Sequence, residues 1–370
     1  MIAIRGYQVL EHLYDSPRSL VYRARKEGDG QPVILKLLHT EYPDARDVAR
    51  FKREYEITRK IDSEQVIRAY EQGKSNNSYY LVLEDIDART LENFVQTTTP
   101  DVKTVLTLAL EITTALDDIH RHNIVHKDLN LSNVVYNPET CQLKVIDFGI
   151  ATELSREMAV ALNPGGLEGT LHYIAPEQSG RMNRGIDYRS DFYSFGVMLY
   201  RMLAGRLPFE SVDPLELIHC HIAKTPMPPS ALNPDVPEAV SEIVLKLLKK
   251  TAEERYQSAF GLKYDIQACL ERYARDATVA GFTIAQHDIS HTFQVTQQLY
   301  GRETEIEQLM TTFEEVAQGA VKLLFVSGYA GVGKSALVHE IEKPIVRRKG
   351  YFIEGKFDQF QTDDRPDSSA

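Results

Sequence analysis

The pattern of apolar and polar residues changes character along the chain. In roughly the first 85 residues, short apolar runs rich in β-forming residues alternate with turn-forming residues, as in VILKLL (33–38) and YYLVLE (79–84). One stretch, at about 45–61, instead has apolar residues at helical spacing, and Glu54 lies one turn beyond Phe51 on the same inward side. This part of the chain is predicted to be β-rich with one helix.

From about residue 90 the spacing becomes that of amphipathic helices. The segment TVLTLALEITTALDDIH places its apolar residues on a single face, and LKVIDFG (143–149) is predicted to be a short strand. Three further helices are predicted at about 189–204, 238–250 and 258–274. The pattern predicts an α+β fold over residues 1–274, with a β-rich small lobe (about 1–86), a helical large lobe (about 87–274) and a cleft between them.

The last hundred residues are organised differently. Residues 275–299 lack clear periodicity and are predicted to be a linker. A second unit then opens with a predicted helix, RETEIEQLMTTFEEVA, and a predicted buried strand, KLLFVS (322–327). The turn that follows, GYAGVGKS, fits the phosphate-binding pattern G-x-x-x-x-G-K-[ST], in which amides and a helix N-terminus cradle phosphates. The predicted nucleotide ligands are Gly328, Gly333, Lys334 and Ser335.

Charge and cysteine content narrow the function classes. The formal net charge is −11, whereas nucleic acids and anionic membranes require a basic face, so neither is expected as a partner. Cys141, Cys220 and Cys269 are scattered, which is typical of reduced thiols rather than of disulfides or a zinc site. No run of about 18 apolar residues and no signal sequence occurs, so we expect a cytoplasmic protein without a membrane span.

A lysine inside an apolar strand is the first candidate for chemistry. Lys36 lies within VILKLL, and a buried lysine needs an anionic partner. Glu54, on the inward face of the next helix, is a plausible partner, and such a pair could hold Lys36 against phosphate oxygens. The alternative is a lysine on an edge strand that points to solvent; on its own, Lys36 fits both interpretations about equally.

Two later segments supply oxygen ligands. In HKDLNLSN, Asp128 could orient a substrate hydroxyl and Asn133 offers an amide oxygen to a metal, while Asp147 in IDFG ends a strand at the mouth of the cleft. Each has a simpler interpretation in isolation: His126 as a hydrogen-bonded core histidine, and DFG as an ordinary turn at a strand end. Together with Lys36, they provide the cation, the metal ligands and the carboxylate that phosphoryl transfer requires.

In combination these segments resemble the eukaryotic-type protein kinase family, as found in bacteria. The family signature runs glycine-rich loop, strand lysine, helix glutamate, H-R-D-L-x-x-x-N, D-F-G and A-P-E. The matches, in the same order, are VILK, FKREYEI, HKDLNLSN, DFG and APE (175–177), and the resemblance covers roughly residues 7–270. It implies a serine/threonine protein kinase that transfers the γ-phosphate of Mg–ATP to hydroxyls of protein substrates.

The resemblance also implies a role for individual residues. Lys36, held by Glu54, would contact the α- and β-phosphates; Asp128 would be the catalytic carboxylate, and Asn133 and Asp147 would bind Mg²⁺. The residues expected around the rest of the nucleotide are Leu13, Ser16, Ser19 and Val21 of the phosphate loop and Leu83, Glu84 and Ile86 of the hinge, with Leu83 as gatekeeper.

Further matches lie in the large lobe. Thr170 in GTLHYIAPE matches the threonine typical of serine/threonine kinases, and SDFYSFGV is similar to the family's core helix. Arg255 resembles the late arginine that pairs with the glutamate of A-P-E, here Glu177. The long segment 150–177 is typical of a platform for a peptide substrate, and Thr152 and Ser155 within it are candidate autophosphorylation sites.

Three departures from the family pattern affect the expected activity. The glycine positions of the phosphate loop are Tyr14, Ser16 and Ser19, so weaker or differently shaped contact with ATP is expected, with the side chain of Ser16, Arg18 or Ser19 compensating. Lys127 replaces the catalytic-loop arginine, which makes strict dependence on loop phosphorylation less expected. Asn130 replaces a lysine, which removes one cation near the γ-phosphate.

These departures keep two alternatives to an active protein kinase open. The first is an ATP-binding pseudokinase that acts as a regulatory module of a larger signalling ATPase. The second is a small-molecule phosphotransferase, against which the long segment 150–177 argues. We favour catalysis because all five core residues, Lys36, Glu54, Asp128, Asn133 and Asp147, are present.

The C-terminal unit carries a second resemblance. LYGRETEI (299–306) with the phosphate-binding turn is similar to AAA-like signalling ATPases that follow a kinase domain in large bacterial sensor kinases. Such a domain needs about 200 residues and an acidic residue on a later strand, whereas about 70 residues follow position 300. We expect 300–370 to be the truncated N-terminal part of a P-loop ATPase domain, poorly functional here, with further sensor domains as absent partners.

Overall fold

A computed structural model provides the structure of the chain. It describes residues 4–16, 19–38, 44–75, 78–153, 170–180, 185–276, 279, 281–289, 301–329, 332–339, 341 and 345. The chain forms two compact units, Met1–Gln298 and Leu299–Ala370, which are described separately. No helix among these residues has both the length and the apolar character that crossing a bilayer requires.

The small lobe is a five-stranded antiparallel sheet with one helix. Its elements are β1 (Tyr7–Asp15), β2 (Ser19–Lys26), β3 (Pro32–Leu38), α1 (Ala45–Lys60), β4 (Ala69–Ser75) and β5 (Ser78–Glu84). The strand order is β1-β2-β3-β5-β4, so β3 is central, and Lys36 lies opposite Val21 on one side and Leu81 on the other. The alternative of an edge-strand lysine is therefore wrong.

Alternate side chains of β3 pack on opposite faces of the sheet. Successive side chains of a strand point to opposite faces, and Val33, Leu35 and Leu37 pack with β1 and β2 residues in one apolar cluster. Lys36 lies on the other face, where Leu38 packs against Phe51 of α1. Helix α1 begins after Asp44, whose side chain accepts a hydrogen bond from the amide of Asp47.

The large lobe is mainly helical. Its helices are α2 (Leu91–Thr98), α3 (Val102–Arg121), α4 (Arg189–Ala204), α5 (Pro214–Ala223), α6 (Pro229–Leu232), α7 (Glu238–Leu247) and α8 (Ala259–Asp276). Its strands are β6 (Arg89–Thr90), β7 (Ile124–Val125), β8 (Val134–Asn137), β9 (Gln142–Val145) and β10 (Thr152–Glu153). Helix α4 is buried on nearly all sides and, with α3, forms the centre of one continuous apolar core. The predicted two-lobed α+β fold is confirmed.

One strand is shorter than its sequence predicts. LKVIDFG was expected to be extended throughout, but β9 ends at Val145. Asp147 has a left-handed backbone conformation (φ 64°), which a β-strand cannot contain. The DFG residues therefore form a turn rather than the end of a strand.

Residues 281–289, in the stretch that lacks periodicity, pack against the large lobe. Phe282, Ile284 and Ala285 contact the main apolar core, and the Asp288 carboxylate accepts hydrogen bonds from the amides of Gln257 (2.9 Å) and Ser258 (3.0 Å). Ser258 directly precedes α8, and its hydroxyl accepts a hydrogen bond from the amide of Gly261 at 3.0 Å, so Ser258 is the cap of this helix. Asp288 holds this cap in place from 30 residues away, because its carboxylate also accepts from the Ser258 hydroxyl at 3.0 Å.

The C-terminal unit contains two described helices, α9 (Glu303–Ala317) and α10 (Lys334–His339). The prediction of a buried strand at KLLFVS is wrong: the segment is irregular, and Leu323 and Phe325 are 80% and 84% exposed. A buried strand needs neighbouring strands for its backbone hydrogen bonds and its apolar faces. No strand among the described residues pairs with this segment.

We expect Asp288→Ala to destabilise the first unit by about 1–2 kcal/mol, because the amides of Gln257 and Ser258 lose their acceptor and Ser258, the cap of α8, loses the side chain that holds it. Thermal unfolding followed by circular dichroism should show a Tm lowered by roughly 3–6 °C. Asp276→Ala, at the last position of α8, is the matched control and should leave Tm unchanged. Equal Tm values for both variants would show that the hydrogen bonds of Asp288 add nothing to the stability of the first unit.

Candidate active site

Three ionisable side chains from different elements meet beside β3. The Lys36 ammonium lies 2.7 Å from Oε1 of Glu54 and 3.2 Å from Oδ1 of Asp147. The side chains of Lys36 and Glu54 are only 11% and 7% exposed. The partner that the sequence predicts for Lys36 is confirmed, and the residue predicted to bind metal lies against the same ammonium.

Burial and charge set the protonation of this trio. Burial would lower the pKa of Lys36, but Asp147 and Glu54 outweigh it and raise that pKa, so the ammonium keeps its proton. Burial would raise the pKa of Asp147, but Lys36 and the Gly149 amide hold it below its ordinary value. For Glu54 burial prevails over Lys36 and raises the pKa to about 7. Glu54 is therefore the member of the trio that takes up a proton near neutral pH.

The loop HKDLNLSN is bonded to Asp191, which lies in the first turn of α4 and is fully buried. Its carboxylate accepts hydrogen bonds from the backbone amides of His126 and Lys127, both at 2.9 Å, and contacts the ring of His120 at 2.9 Å. Asp191 lies in SDFYSFGV but was not predicted to be a site residue. The available signal was a carboxylate within an otherwise apolar helix, where burial requires several donors.

His126 fixes the next part of the loop. Its Nε2 lies 3.1 Å from the carbonyl oxygen of Ile146, and its Nδ1 accepts from the amide of Asp128 at 3.3 Å, so the ring is neutral and carries its proton on Nε2. Phe148 packs against this ring with centroids 4.8 Å apart. The simpler interpretation of His126, a hydrogen-bonded core histidine, is thus correct, and this histidine ties HKDLNLSN to IDFG.

Three hydrogen-bond donors surround Asp128. Asn133 Nδ2 donates to the backbone carbonyl of Asp128 (2.8 Å) and to its Oδ2 (3.2 Å), and the amide of Thr170 donates to its Oδ1 (2.8 Å). Asn130 Nδ2 also donates to Oδ1 (3.3 Å) and to the Thr170 hydroxyl (3.2 Å). The carboxylate is held in one orientation by neutral donors.

Asn130 therefore does more than remove a cation. Its Oδ1 accepts from the amides of Ser132 (2.9 Å) and Asn133 (3.2 Å), which begin the 3₁₀ turn Leu131–Asn133. A lysine at this position would supply charge but no acceptor for those amides. The asparagine joins Asp128, Thr170 and the start of this turn in one hydrogen-bonded group.

The ionisable trio and Asp128 line one cavity. A cavity of about 160 Å³ is lined by Lys36, Glu54, Asp128 and Asp147 together with Ser16 and Ser19 from the tip of the β1–β2 hairpin. Five stretches of sequence thus converge at one site. Concave polar sites with perturbed ionisable groups are the usual places for ligand chemistry.

The predicted adenine-side residues lie on the neighbouring strands. Val21 lies on β2 directly opposite Lys36, and Leu83 on β5 packs against the cluster of Leu38, Phe51 and Leu81. Leu13 on β1 is 39% exposed. The Glu84 carboxylate pairs with Lys144 at 3.1 Å, and the Ile86 carbonyl accepts from Asn137 Nδ2 at 2.9 Å, so contacts with the large lobe fix the hinge.

Serines close the tip of the phosphate loop in place of glycines. The Ser16 hydroxyl donates to the Ser19 carbonyl (3.0 Å) and accepts from the Ser19 amide (2.9 Å), while the Ser16 amide donates to the same carbonyl (2.9 Å). The two loop amides are therefore used within the loop. Arg18, which was also expected to compensate for the missing glycines, lies outside the described residues.

The A-P-E glutamate is bound as the sequence predicts. Arg255 donates two hydrogen bonds to Glu177, at 2.6 and 2.8 Å, and the Ser190 hydroxyl adds a third at 2.8 Å. Burial would raise the pKa of Glu177, but Arg255 outweighs it and lowers that pKa. Gln178 extends this anchor to the catalytic loop by donating to the Lys127 carbonyl at 2.7 Å.

The second nucleotide signature has its glycines in unusual backbone conformations, Gly328 at φ 158° and Gly333 at φ 89°. Lys334 Nζ donates to the carbonyls of Gly328 and Tyr329, both at 2.9 Å. The lysine is thus bonded to the loop itself. The side chain of Ser335, predicted to hold Mg²⁺, lies outside the described residues.

Of the two candidate autophosphorylation sites, Ser155 also lies outside the described residues, whereas Thr152 lies on β10 opposite Val125.

The two predicted magnesium ligands fit a hard cation. Asp147 presents Oδ2 while Oδ1 is held by Lys36 and Gly149, and Asn133 presents Oδ1 because its Nδ2 is bonded to Asp128. Asp147 and Asn133 would hold Mg²⁺ through one carboxylate and one amide oxygen, which are hard donors of the kind this ion prefers, and the ion would neutralise charge on the phosphates.

Comparison with known families agrees with this geometry. A protein kinase domain model matches residues 7–265, and an AAA ATPase domain model matches residues 298–367. The first match covers most of the chain and includes every residue of the cavity described above.

Individual relatives are bacterial and eukaryotic signalling proteins. The chain is 33% identical to a probable serine/threonine-protein kinase of Streptomyces coelicolor (70% of the chain, 39% of the relative) and 30% identical to serine/threonine-protein kinase PrkC of Bacillus subtilis (72% and 40%). It is 28% identical to hybrid signal transduction histidine kinase G of Dictyostelium discoideum (70% and 10%). The chain thus spans about two fifths or less of these relatives' lengths, and by its family match it belongs to the protein kinase family.

Proposed function

We propose that the chain is an active serine/threonine protein kinase that uses Mg–ATP to phosphorylate protein substrates. The observation that carries this proposal is the convergence of Lys36, Asp128 and Asp147 on one cavity, with Lys36 held by Glu54. These are the cation, the orienting carboxylate and the metal ligand that phosphoryl transfer needs.

Each residue has a distinct task in the proposed reaction. Lys36 holds α- and β-phosphate oxygens, and Asp147 and Asn133 hold Mg²⁺, which neutralises charge on the phosphates. Asp128 orients the substrate hydroxyl and takes its proton as the hydroxyl oxygen bonds to the γ-phosphorus and the bond to the β–γ bridging oxygen breaks. The neutral donors on Asp128 keep it aimed without neutralising it.

Preference for serine and threonine is supported by Thr170. Its amide and hydroxyl bind Asp128 and Asn130, so the segment before A-P-E lies directly beside the predicted catalytic carboxylate. The proposed substrates are serine and threonine hydroxyls of other proteins. All three cysteines are free thiols, which supports a cytoplasmic setting.

A second candidate function is an ATP-binding pseudokinase, and one observation favours it. The amides of Ser16 and Ser19 are bonded within the loop, so they are less available to phosphates than those of a glycine-rich loop. Nucleotide binding without transfer to any protein would support this alternative. For residues 300–370 we propose only the N-terminal part of a P-loop ATPase domain, acting within a larger signalling protein.

We expect Asp128→Asn to lower phosphate transfer from radiolabelled ATP to a generic protein substrate by at least about 100-fold, because the substrate hydroxyl loses its orienting carboxylate. Lys36→Met should cause a comparable loss. The exposed Asp235→Asn is the matched control and should retain wild-type activity. Equal labelling by wild type and Asp128→Asn would reject Asp128, and ATP binding without labelling by the wild type would establish the pseudokinase.

We expect kcat/KM to fall as the pH drops below 7, because Glu54, with its pKa near 7, takes up a proton and releases Lys36. The profile should show an apparent pKa close to 7 in the wild type. Glu54→Gln, which cannot titrate, should have lower activity and lack this step. A wild-type profile that is flat from pH 6 to 8 would contradict the assignment.

A further inference from the structure

Arg50 of α1 makes a contact that the roles assigned so far do not use. It lines the same cavity as Lys36, Asp128 and Asp147, and its Nε donates to the carbonyl oxygen of Gly149 at 3.0 Å. Arg50 lies one helical turn before Glu54, so two successive inward positions of α1 reach the site.

Gly149 is the residue whose position determines that of Asp147. Its amide donates to Asp147 Oδ1 at 3.2 Å, the same oxygen that accepts from Lys36. Asp147 has φ 64°, a conformation that costs an L-residue about 1–2 kcal/mol and persists only when its surroundings hold it. The charged side chain of Arg50 donates to the carbonyl oxygen of Gly149 and so holds this strained turn at its last residue.

The space beside Gly149 is bordered closely by Asp147 and less closely by two residues of α1. A β-carbon added there would lie 3.1 Å from Asp147 Oδ1, 3.5 Å from Arg50 Nε and 3.8 Å from Glu54 Oε2. Arg50 and Glu54 therefore both lie beside Gly149, and Arg50 is bonded to it. A displacement of α1 would move the Gly149 carbonyl and, through the Gly149 amide, the Asp147 carboxylate.

A second contact connects the other end of α1 to the same segment. Lys60 Nζ lies 2.5 Å from Oε1 of Glu153 on β10. Lys60 is 56% exposed, so this ion pair contributes little by itself. The bond from Arg50 is the interior connection between α1 and the DFG turn.

We propose that Arg50 is a positioning residue for Asp147: it holds the DFG turn against α1 and thereby sets the affinity for the magnesium ion that accompanies the nucleotide. The proposal rests on the proposed function only in that Asp147 binds Mg²⁺. Arg50 contacts neither metal nor phosphate in this role. It makes metal binding depend on the position of α1.

The test measures binding rather than turnover. Binding of the non-hydrolysable analogue adenylyl imidodiphosphate is titrated with Mg²⁺, and again in EDTA, for the wild type, Arg50→Ala, Arg50→Lys and the control Arg46→Ala, an exposed arginine on the same helix. Arg50→Ala should need about tenfold more Mg²⁺ for half-saturation, the scale of one charge-assisted hydrogen bond. Its metal-free binding should change less than twofold. Arg50→Lys should recover part of the loss, and Arg46→Ala should match the wild type.

Hydrogen–deuterium exchange of the nucleotide-free protein gives an independent readout. The peptide that spans residues 143–153 should exchange faster in Arg50→Ala than in wild type or Arg46→Ala. Unchanged Mg²⁺ dependence in Arg50→Ala, or an equal loss of metal-free and metal-dependent binding, would overturn the proposal. A wild type that binds the Mg–analogue but transfers no phosphate would reject the kinase activity alone, whereas one without Mg²⁺-dependent binding would overturn both.

Discussion

The buried contact of Lys36 with Glu54 and Asp147 is the interaction on which the rest of the site depends. A lysine on the central strand of a sheet is costly to bury unless carboxylates surround it, and here one carboxylate comes from α1 and the other from the turn after β9. The pairing therefore brings together three parts of the fold. Removing Lys36 would leave two carboxylates in the cleft without the cation that they share.

The large lobe applies the same principle to the catalytic loop. Asp191 is buried on α4 and satisfied by backbone amides of the loop, and Glu177 is buried and satisfied by Arg255. Both carboxylates attach irregular segments to the helical core, where irregular backbone would otherwise lack fixed partners. The position of Asp128 follows from these anchors, since its neighbours on both sides are held.

Much of this could be predicted from sequence, for identifiable reasons. Long periodic segments such as α3 and α4 and the motif residues Lys36, Glu54 and Asp147 carry local signals of type and spacing. What could not be predicted depends on distant partners: Asp288 holds Ser258, the cap of a helix 30 positions earlier, and Arg50 bonds to a carbonyl 99 positions later. The prediction of a strand at KLLFVS was wrong for a related reason. Its apolar composition indicates burial, but burial also requires a neighbouring strand, and no described strand pairs with it.

The central claim is that these side chains act together on one metal-bound triphosphate. An experimental structure with adenylyl imidodiphosphate and Mg²⁺ tests it most directly. The account predicts a metal ion between Asp147 and Asn133, the Lys36 ammonium on α- and β-phosphate oxygens, and the Asp128 carboxylate facing the γ-phosphate. A nucleotide bound away from Lys36, or a metal ion that contacts neither Asp147 nor Asn133, would contradict it.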